Sequence, residues 1–149
     1  MRIAVLNGPN LNLLGVREPA IYGSATLLQV EDRLSAVARE LDVSIECVQS
    51  NHEGQLIDLV HGFRGRVDGA LVNAGAYSHT SLALRDALVG VSLPFVEVHV
   101  TNVYAREPER HHSMLASSAM GLVVGLGTQG YELALRGIVY ALRTRGPGA

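Results

Sequence analysis

The stretch Asn7-Gly8-Pro9-Asn10-Leu11-Asn12-Leu13-Leu14-Gly15-Val16-Arg17-Glu18-Pro19-Ala20-Ile21-Tyr22-Gly23 puts three asparagines, an arginine and a tyrosine in one polar segment. Its glycines and prolines are ordinary turn residues. Tyr22 lies close enough to Arg17 for a folded-back loop to bring phenol and guanidinium together. A free phenol ionises near pH ~10 and is a poor base at neutral pH, whereas a neighbouring guanidinium favours the phenolate. The same residues also fit a plain loop held by asparagine hydrogen bonds and a packed ring.

A second group is Val96-Glu97-Val98-His99-Val100-Thr101-Asn102. In an extended chain Glu97 and His99 share a face. There the carboxylate orients the imidazole and compensates the charge that a general acid must carry. A structural Glu–His pair covering an edge is the competing reading. Arg106-Glu107-Pro108-Glu109-Arg110-His111-His112 comes next, either as a solvated charged loop or as a carboxylate anchor, since arginine binds carboxylates in a bidentate fork. Asn73-Ala74-Gly75-Ala76-Tyr77-Ser78-His79 runs into a helix carrying Arg85 and Asp86. Taken singly, Asn73 fits a turn brace, His79 a helix-end contact and Asp86 a solvated helix charge.

Other signals carry less. Gly125-Leu126-Gly127-Thr128-Gln129-Gly130 spells a dinucleotide-binding pattern, but that reading requires a further strand and an acidic residue ~20 positions on. Beyond Gly130 the chain has room for only one helix and a short tail, so the glycines are read as a tight final turn. Cys47 lies mid-strand with no second cysteine and reads as a buried apolar filler. His111-His112 lacks the spacing and companions of a zinc site, and no metal is expected.

All 12 basic residues are arginine; the chain has no lysine. Walker-type nucleotide hydrolysis, pyridoxal-phosphate chemistry and Schiff-base lyases all need that amine and are excluded. A net charge of −2 offers no basic footprint for nucleic acid. The single cysteine fits a reducing compartment. The N-terminal apolar run is too short for a signal peptide and no stretch suits a membrane span, so a cytoplasmic protein is expected.

Hydrophobic periodicity supplies the elements that hold these residues. Strands are expected at Ile3–Leu6, Val43–Val48, Asp68–Val72, Pro94–Val98 and Gly121–Leu126. Helices are expected from Leu27 to Leu41 behind a Thr26–Gln29 capping box, after a Ser50–Glu53 cap, around Ser81–Leu88, and over Tyr131–Leu142. The tail from about residue 144 is expected to fray. Five strands alternating with helices predict a single α/β domain, residues 1–149, with a flavodoxin-like doubly wound five-stranded parallel sheet. Ligands of such sheets bind beyond the carboxyl ends of the strands, where every segment singled out above falls. The loops after strands one and four far exceed a median connection of ~4–6 residues, which marks them as functional.

Together, NGPNLNLLGVREPAIYG, QSNHEG, NAGAYSHTSLALRDAL, EVHVTN with REPERHHS, and GLGTQGYELAL closely resemble the type II 3-dehydroquinate dehydratases, in family order and over nearly the whole chain. The first motif is highly specific, while the glycine-rich last one is weak alone. The resemblance implies loss of water from 3-dehydroquinate to give 3-dehydroshikimate through an enolate, the third step of the shikimate pathway to chorismate and aromatic amino acids. It implies no cofactor and no metal, and a homododecamer built as a tetramer of trimers.

By the same resemblance, Tyr22 is the base and Arg17 stabilises its anion. His99, oriented by Glu97, protonates the departing hydroxyl, and Asn10 holds the water that stabilises the enolate. Asn73, His79 and Arg110 bind substrate hydroxyls and carboxylate, with backbone amides of Val100 and Thr101 on the carboxylate. Asp86 reaches a neighbouring subunit's site, and Arg106 shares the active-site loop. Three positions depart from the family pattern. Ala74 replaces a usual proline and is expected to loosen its turn. Thr101 replaces serine, a mild change. Glu109 replaces an aromatic residue and is expected to compete for Arg110. The alternative class is a noncatalytic flavodoxin-like module: an electron carrier, which would hold flavin, or a receiver domain, which would need an acidic cluster and a lysine.

Overall fold

The computed structural model describes residues 1–145; the Gly146–Ala149 part of the tail expected to fray lies outside the described residues. Five strands, β1 (Arg2–Asn7), β2 (Ser44–Gln49), β3 (Gly69–Asn73), β4 (Phe95–His99) and β5 (Gly121–Val124), form one parallel sheet in the order β2-β1-β3-β4-β5. That order is the flavodoxin-like one, with its switch point between β1 and β3. The helices are α1 (Pro19–Tyr22), α2 (Leu27–Glu40), α3 (Glu53–Phe63), α4 (Leu82–Gly90) and α5 (Gln129–Thr144).

Side-chain alternation along the central strands splits the core into two layers. Ile3, Val5, Leu71, Val96 and Val98 pack under α2 and α5, where Leu34, Tyr131, Leu135 and Ile138 are fully buried. Ala4, Leu6, Ala70, Val72 and Phe95 pack under α3 and α4 with Leu56, Val60, Phe63 and Leu84. Each buried Leu or Phe contributes about 1.5–3 kcal/mol. The central strands are covered on both faces, so β3 and β4 are buried throughout, as parallel strands require.

The caps show where local chemistry decided. Thr26 accepts from Gln29 N–H while Gln29 Oε1 accepts from Thr26 N–H, which is the expected capping box. Such a cap is worth about 1 kcal/mol. The Ser50 cap is corrected. α3 begins at Glu53 with His52 at its N-cap, and Ser50 turns inward to accept from His52 N–H and donate to Gln55.

Cys47, on edge strand β2, is half-buried, and burial with the nearby Glu31 charge pushes its thiol up to about 12. Thiolate is the reactive form, so the folded protein at pH 7.5 is expected to react with iodoacetamide at least about tenfold more slowly than the denatured chain. Equal rates in the two states would contradict that placement.

Candidate active site

At the switch point two turns interlock. Gly8 N–H donates to the Asn73 carbonyl at 2.8 Å. A Cβ on Gly8 would meet the Ala74 carbonyl oxygen at 2.3 Å, and one on Gly75, which has φ +56°, would meet the Pro9 oxygen at 2.9 Å. Only glycine permits this approach. Ala74 is fully buried, and its carbonyl accepts from Tyr77 N–H. The turn expected to loosen for want of a proline is closed by these contacts.

Beyond this junction the strand ends open into a cleft of roughly 690 Å³, counting the solvent at its mouth. Asn10, Arg17, Tyr22, Asn73, His79, His99, Val100, Thr101 and Arg110 all line it, together with Arg106. Asn10 holds a left-handed backbone, φ 68°, fixed by its N–H on Asn51 Oδ1. The long first loop folds back through α1 to set Tyr22 at the cleft wall.

Two guanidinium groups flank the Tyr22 ring, Arg17 at 5.5 Å and Arg106 at 5.4 Å from its centroid. The hydrogen bond to the phenol oxygen comes from Arg106 Nη1, at 2.8 Å. Arg17, expected to be its partner, stacks on the ring and pairs through Nε with Glu18 at 3.3 Å. Sequence proximity favoured Arg17. Arg106 is far away in sequence and arrives because the loop after β4 passes over the same wall, with its carbonyl held by His111 Nε2 at 2.9 Å.

Glu97 and His99 share a face at the end of β4, as expected, and Glu97 Oε1 lies 2.7 Å from His99 Nε2. Glu97 is wholly buried and His99 nearly so. A buried carboxylate needs compensation, and the second partner is Ser113, whose hydroxyl lies 2.7 and 2.9 Å from the two carboxylate oxygens. Ser113 Oγ also accepts from the N–H groups of Leu115 and Ala116, so its own proton goes to Glu97. Ser113 closes the REPERHHS segment, but the sequence alone assigns it no role. Its replacement by Ala removes one donor from a buried anion, and a fall in kcat of about tenfold is expected; unchanged steady-state kinetics would remove Ser113 from the site.

His79 stacks on His99, ring centroids 5.9 Å apart, and its Nδ1 lies 2.8 Å from the His112 carbonyl. Burial holds His79 below the usual imidazole range, and the nearby His99 and Arg110 push the same way against the His112 hydrogen bond. A neutral ring donates through Nδ1 to that carbonyl and leaves Nε2 as an acceptor. Arg110 is held by Glu107, 3.1 Å from its Nε, while Glu109 is exposed. The competitor expected at Glu109 is therefore Glu107, one helical turn earlier. Thr101 Oγ1 stands 3.4 Å from Arg106 Nη1.

Asp86 does not line the cleft; its exposed carboxylate on α4 lies 3.5 Å from Arg85. The glycine-rich segment forms the last turn, as expected. Gly125 and Gly127, both with positive φ, donate N–H to the carbonyls of His99 and Val100 and so brace the end of β4. Among the described residues no three His, Cys, Asp or Glu side chains gather as a metal site. The cleft thus joins a phenol against two guanidinium groups, a carboxylate-backed imidazole and Arg110, which Glu107 holds at the cleft lining: a base, an acid and an anion anchor.

The family model for class II dehydroquinase matches residues 1–139. A 3-dehydroquinate dehydratase of Gemmatimonas aurantiaca is 60% identical over 97% of this chain and 95% of its own. Catabolic 3-dehydroquinase 2 of Neosartorya fischeri is 56% identical over 95% and 92%. The crystal structure of the type II dehydroquinase from Butyrivibrio crossotus superposes with a TM-score of 0.91 at 41% identity, covering 94% of this chain and 97% of that one. A cleft of this composition and a match of this extent lead to one conclusion: the chain belongs to the class II dehydroquinase family.

Proposed function

We propose that the protein is a type II 3-dehydroquinate dehydratase, a hydro-lyase that converts 3-dehydroquinate to 3-dehydroshikimate, the third step of the shikimate pathway to chorismate. The observation that carries the residue assignment is the Arg106–Tyr22 hydrogen bond in the same cleft as the Glu97–His99 pair. Tyr22, as phenolate, removes the proton alpha to the ketone, and the electron pair of that C–H bond moves onto the ketone oxygen as an enolate. Arg17 and Arg106 balance the charge on the phenol, while Asn10 holds the water that stabilises the enolate oxygen. The enolate then collapses, a carbon–carbon double bond forms, and the hydroxyl leaves as water with a proton from His99. Glu97 holds that imidazole in place. Arg110 and the backbone amides of Val100 and Thr101 anchor the carboxylate, and Asn73 and His79 hold hydroxyl or carboxylate oxygens. No cofactor or metal enters the scheme.

Assembly as a tetramer of trimers is part of the proposal. Its support is Asp86, exposed on α4 and away from its own cleft, where a neighbouring copy can take it. Light scattering is expected to give the mass of a dodecamer rather than of one chain. No described helix is long and apolar enough to cross a membrane, and the cytoplasm is the compartment proposed, on the single unpaired cysteine.

The test is direct. Purified protein given 3-dehydroquinate, without added cofactor or metal, is expected to develop the absorbance of a conjugated enone in proportion to enzyme. No absorbance change at substrate excess would sink the proposal.

A further inference from the structure

The first turn of α5 buries Tyr131 completely, with its ring in the core between α2 and α5. The acid–base scheme above does not use it. Its hydroxyl reaches the carboxyl end of the sheet, where Asn7 and Asn73 stand opposite each other in the β1–β3 register. Both asparagines share the face of Val5 and Leu71, the face that looks at α5. Burial pushes the Tyr131 phenol above its ordinary value, so it stays protonated.

The hydrogen bonds around this hydroxyl have one consistent direction. Gly75 N–H can only donate, and the Asn73 atom it meets, at 3.2 Å, is therefore the amide oxygen. The other end of Asn73 is its nitrogen, which donates to Tyr131 Oη at 2.8 Å. Tyr131 passes its own proton to Asn7 Oδ1 at 2.6 Å. Asn7 must present oxygen to take that proton, which leaves its Nδ2 buried with no partner among the described residues. An orphaned buried donor is costly, and the relay accounts for it. One Nδ2 hydrogen of Asn73 is thereby used, and the second remains on a residue that lines the cleft.

We infer that Tyr131 is a positioning residue: with Gly75 N–H marking the oxygen end of the Asn73 amide, the buried Tyr131 hydroxyl, fixed by Asn7, takes one Nδ2 hydrogen and holds the other in place to meet an oxygen of the substrate. The inference rests on the dehydratase reading of the cleft. A free asparagine amide can present either end. A site for hydroxyl and carboxylate oxygens needs the donor end; Gly75 N–H selects that end and the Tyr131 hydroxyl fixes the plane in which the remaining N–H points.

Tyr131→Phe deletes one oxygen and keeps the ring. In steady-state assays with 3-dehydroquinate this variant is expected to raise KM about tenfold, with kcat changed less than about threefold, the pattern of lost uniform binding. Asn73→Ala is expected to raise KM as well, and adding Tyr131→Phe to it should cost nothing further. An unchanged KM in Tyr131→Phe, or an undiminished penalty in the Asn73→Ala background, would overturn the inference. Should Tyr131→Phe prove too unstable to assay, Asn7→Ala breaks the far end of the relay and leaves Tyr131 and Asn73 in place. KM is then expected to rise in the same direction, and an unchanged KM is equally decisive against it. Wild-type turnover with unaltered variant KM sinks only the role of Tyr131, whereas a wild-type enzyme without turnover takes the dehydratase reading down with it.

Discussion

Tyr22→Phe is expected to reduce turnover of 3-dehydroquinate to the upper end of the ~10²–10⁴-fold loss typical of removing a general base, with fold and assembly intact. The ring between Arg17 and Arg106 remains and keeps its cation–π contacts. What disappears is the phenol oxygen, the nearer of the two acceptors of Arg106 Nη1, which leaves only the longer contact to Thr101 Oγ1. Tyr22 is only half-buried and partly packed on the core, so the deletion costs little stability. Light scattering and thermal unfolding serve as the controls, and both should match the wild type. Turnover retained within a few-fold would remove Tyr22 as the base, and the two arginines would then need another explanation.

His99→Ala carries the second large effect, a loss of about 10²–10⁴-fold in kcat, because the leaving hydroxyl departs poorly without a proton. Its structural side effect is greater than that of Tyr22→Phe. Glu97 is fully buried, and without His99 it keeps Ser113 as its side-chain partner. Leaving a buried charge short of a partner costs on the order of 3–5 kcal/mol, so some loss of thermal stability is expected. His99→Gln separates the two effects, since its amide can still donate to Glu97 while having no proton to give up. Both variants should be inactive, and the glutamine one should be the more stable. Near-normal turnover in either rejects the acid role.

The sheet was legible because parallel strands covered on both faces read as apolar runs, and Ile3–Leu6 and Gly69–Asn73 are such runs. The helices were legible through spacing such as Tyr131, Ala134, Leu135, Ile138 and Val139 along α5. The cap of α3 was misread because Ser50 has two rival uses close by, His52 N–H and Gln55, and the turn chose those.

At the site, what lay within one strand was legible, as with the shared face of Glu97 and His99. What depended on two distant loops crossing was not. Arg106 reaches Tyr22 across 84 positions and Ser113 reaches Glu97 across 16, and although both residues lie in the REPERHHS segment, nothing in it names their partners. Local charge order also misled at Arg110. Glu109 is adjacent in sequence, yet the short helical turn Pro108–Arg110 places Glu107 against Arg110, because neighbours on a helical turn are three or four apart.

The absence of lysine separates the enolate route proposed for Tyr22 from an imine route to the same product, since the latter needs a side-chain amine. The decisive measurement exposes the protein to borohydride together with 3-dehydroquinate, removes both, and then records enone formation from fresh substrate and the intact mass of the protein. Turnover is expected to continue undiminished and the mass to stay that of the unmodified chain. Loss of activity together with a substrate-sized gain in mass would show a covalent imine intermediate and contradict the enolate mechanism.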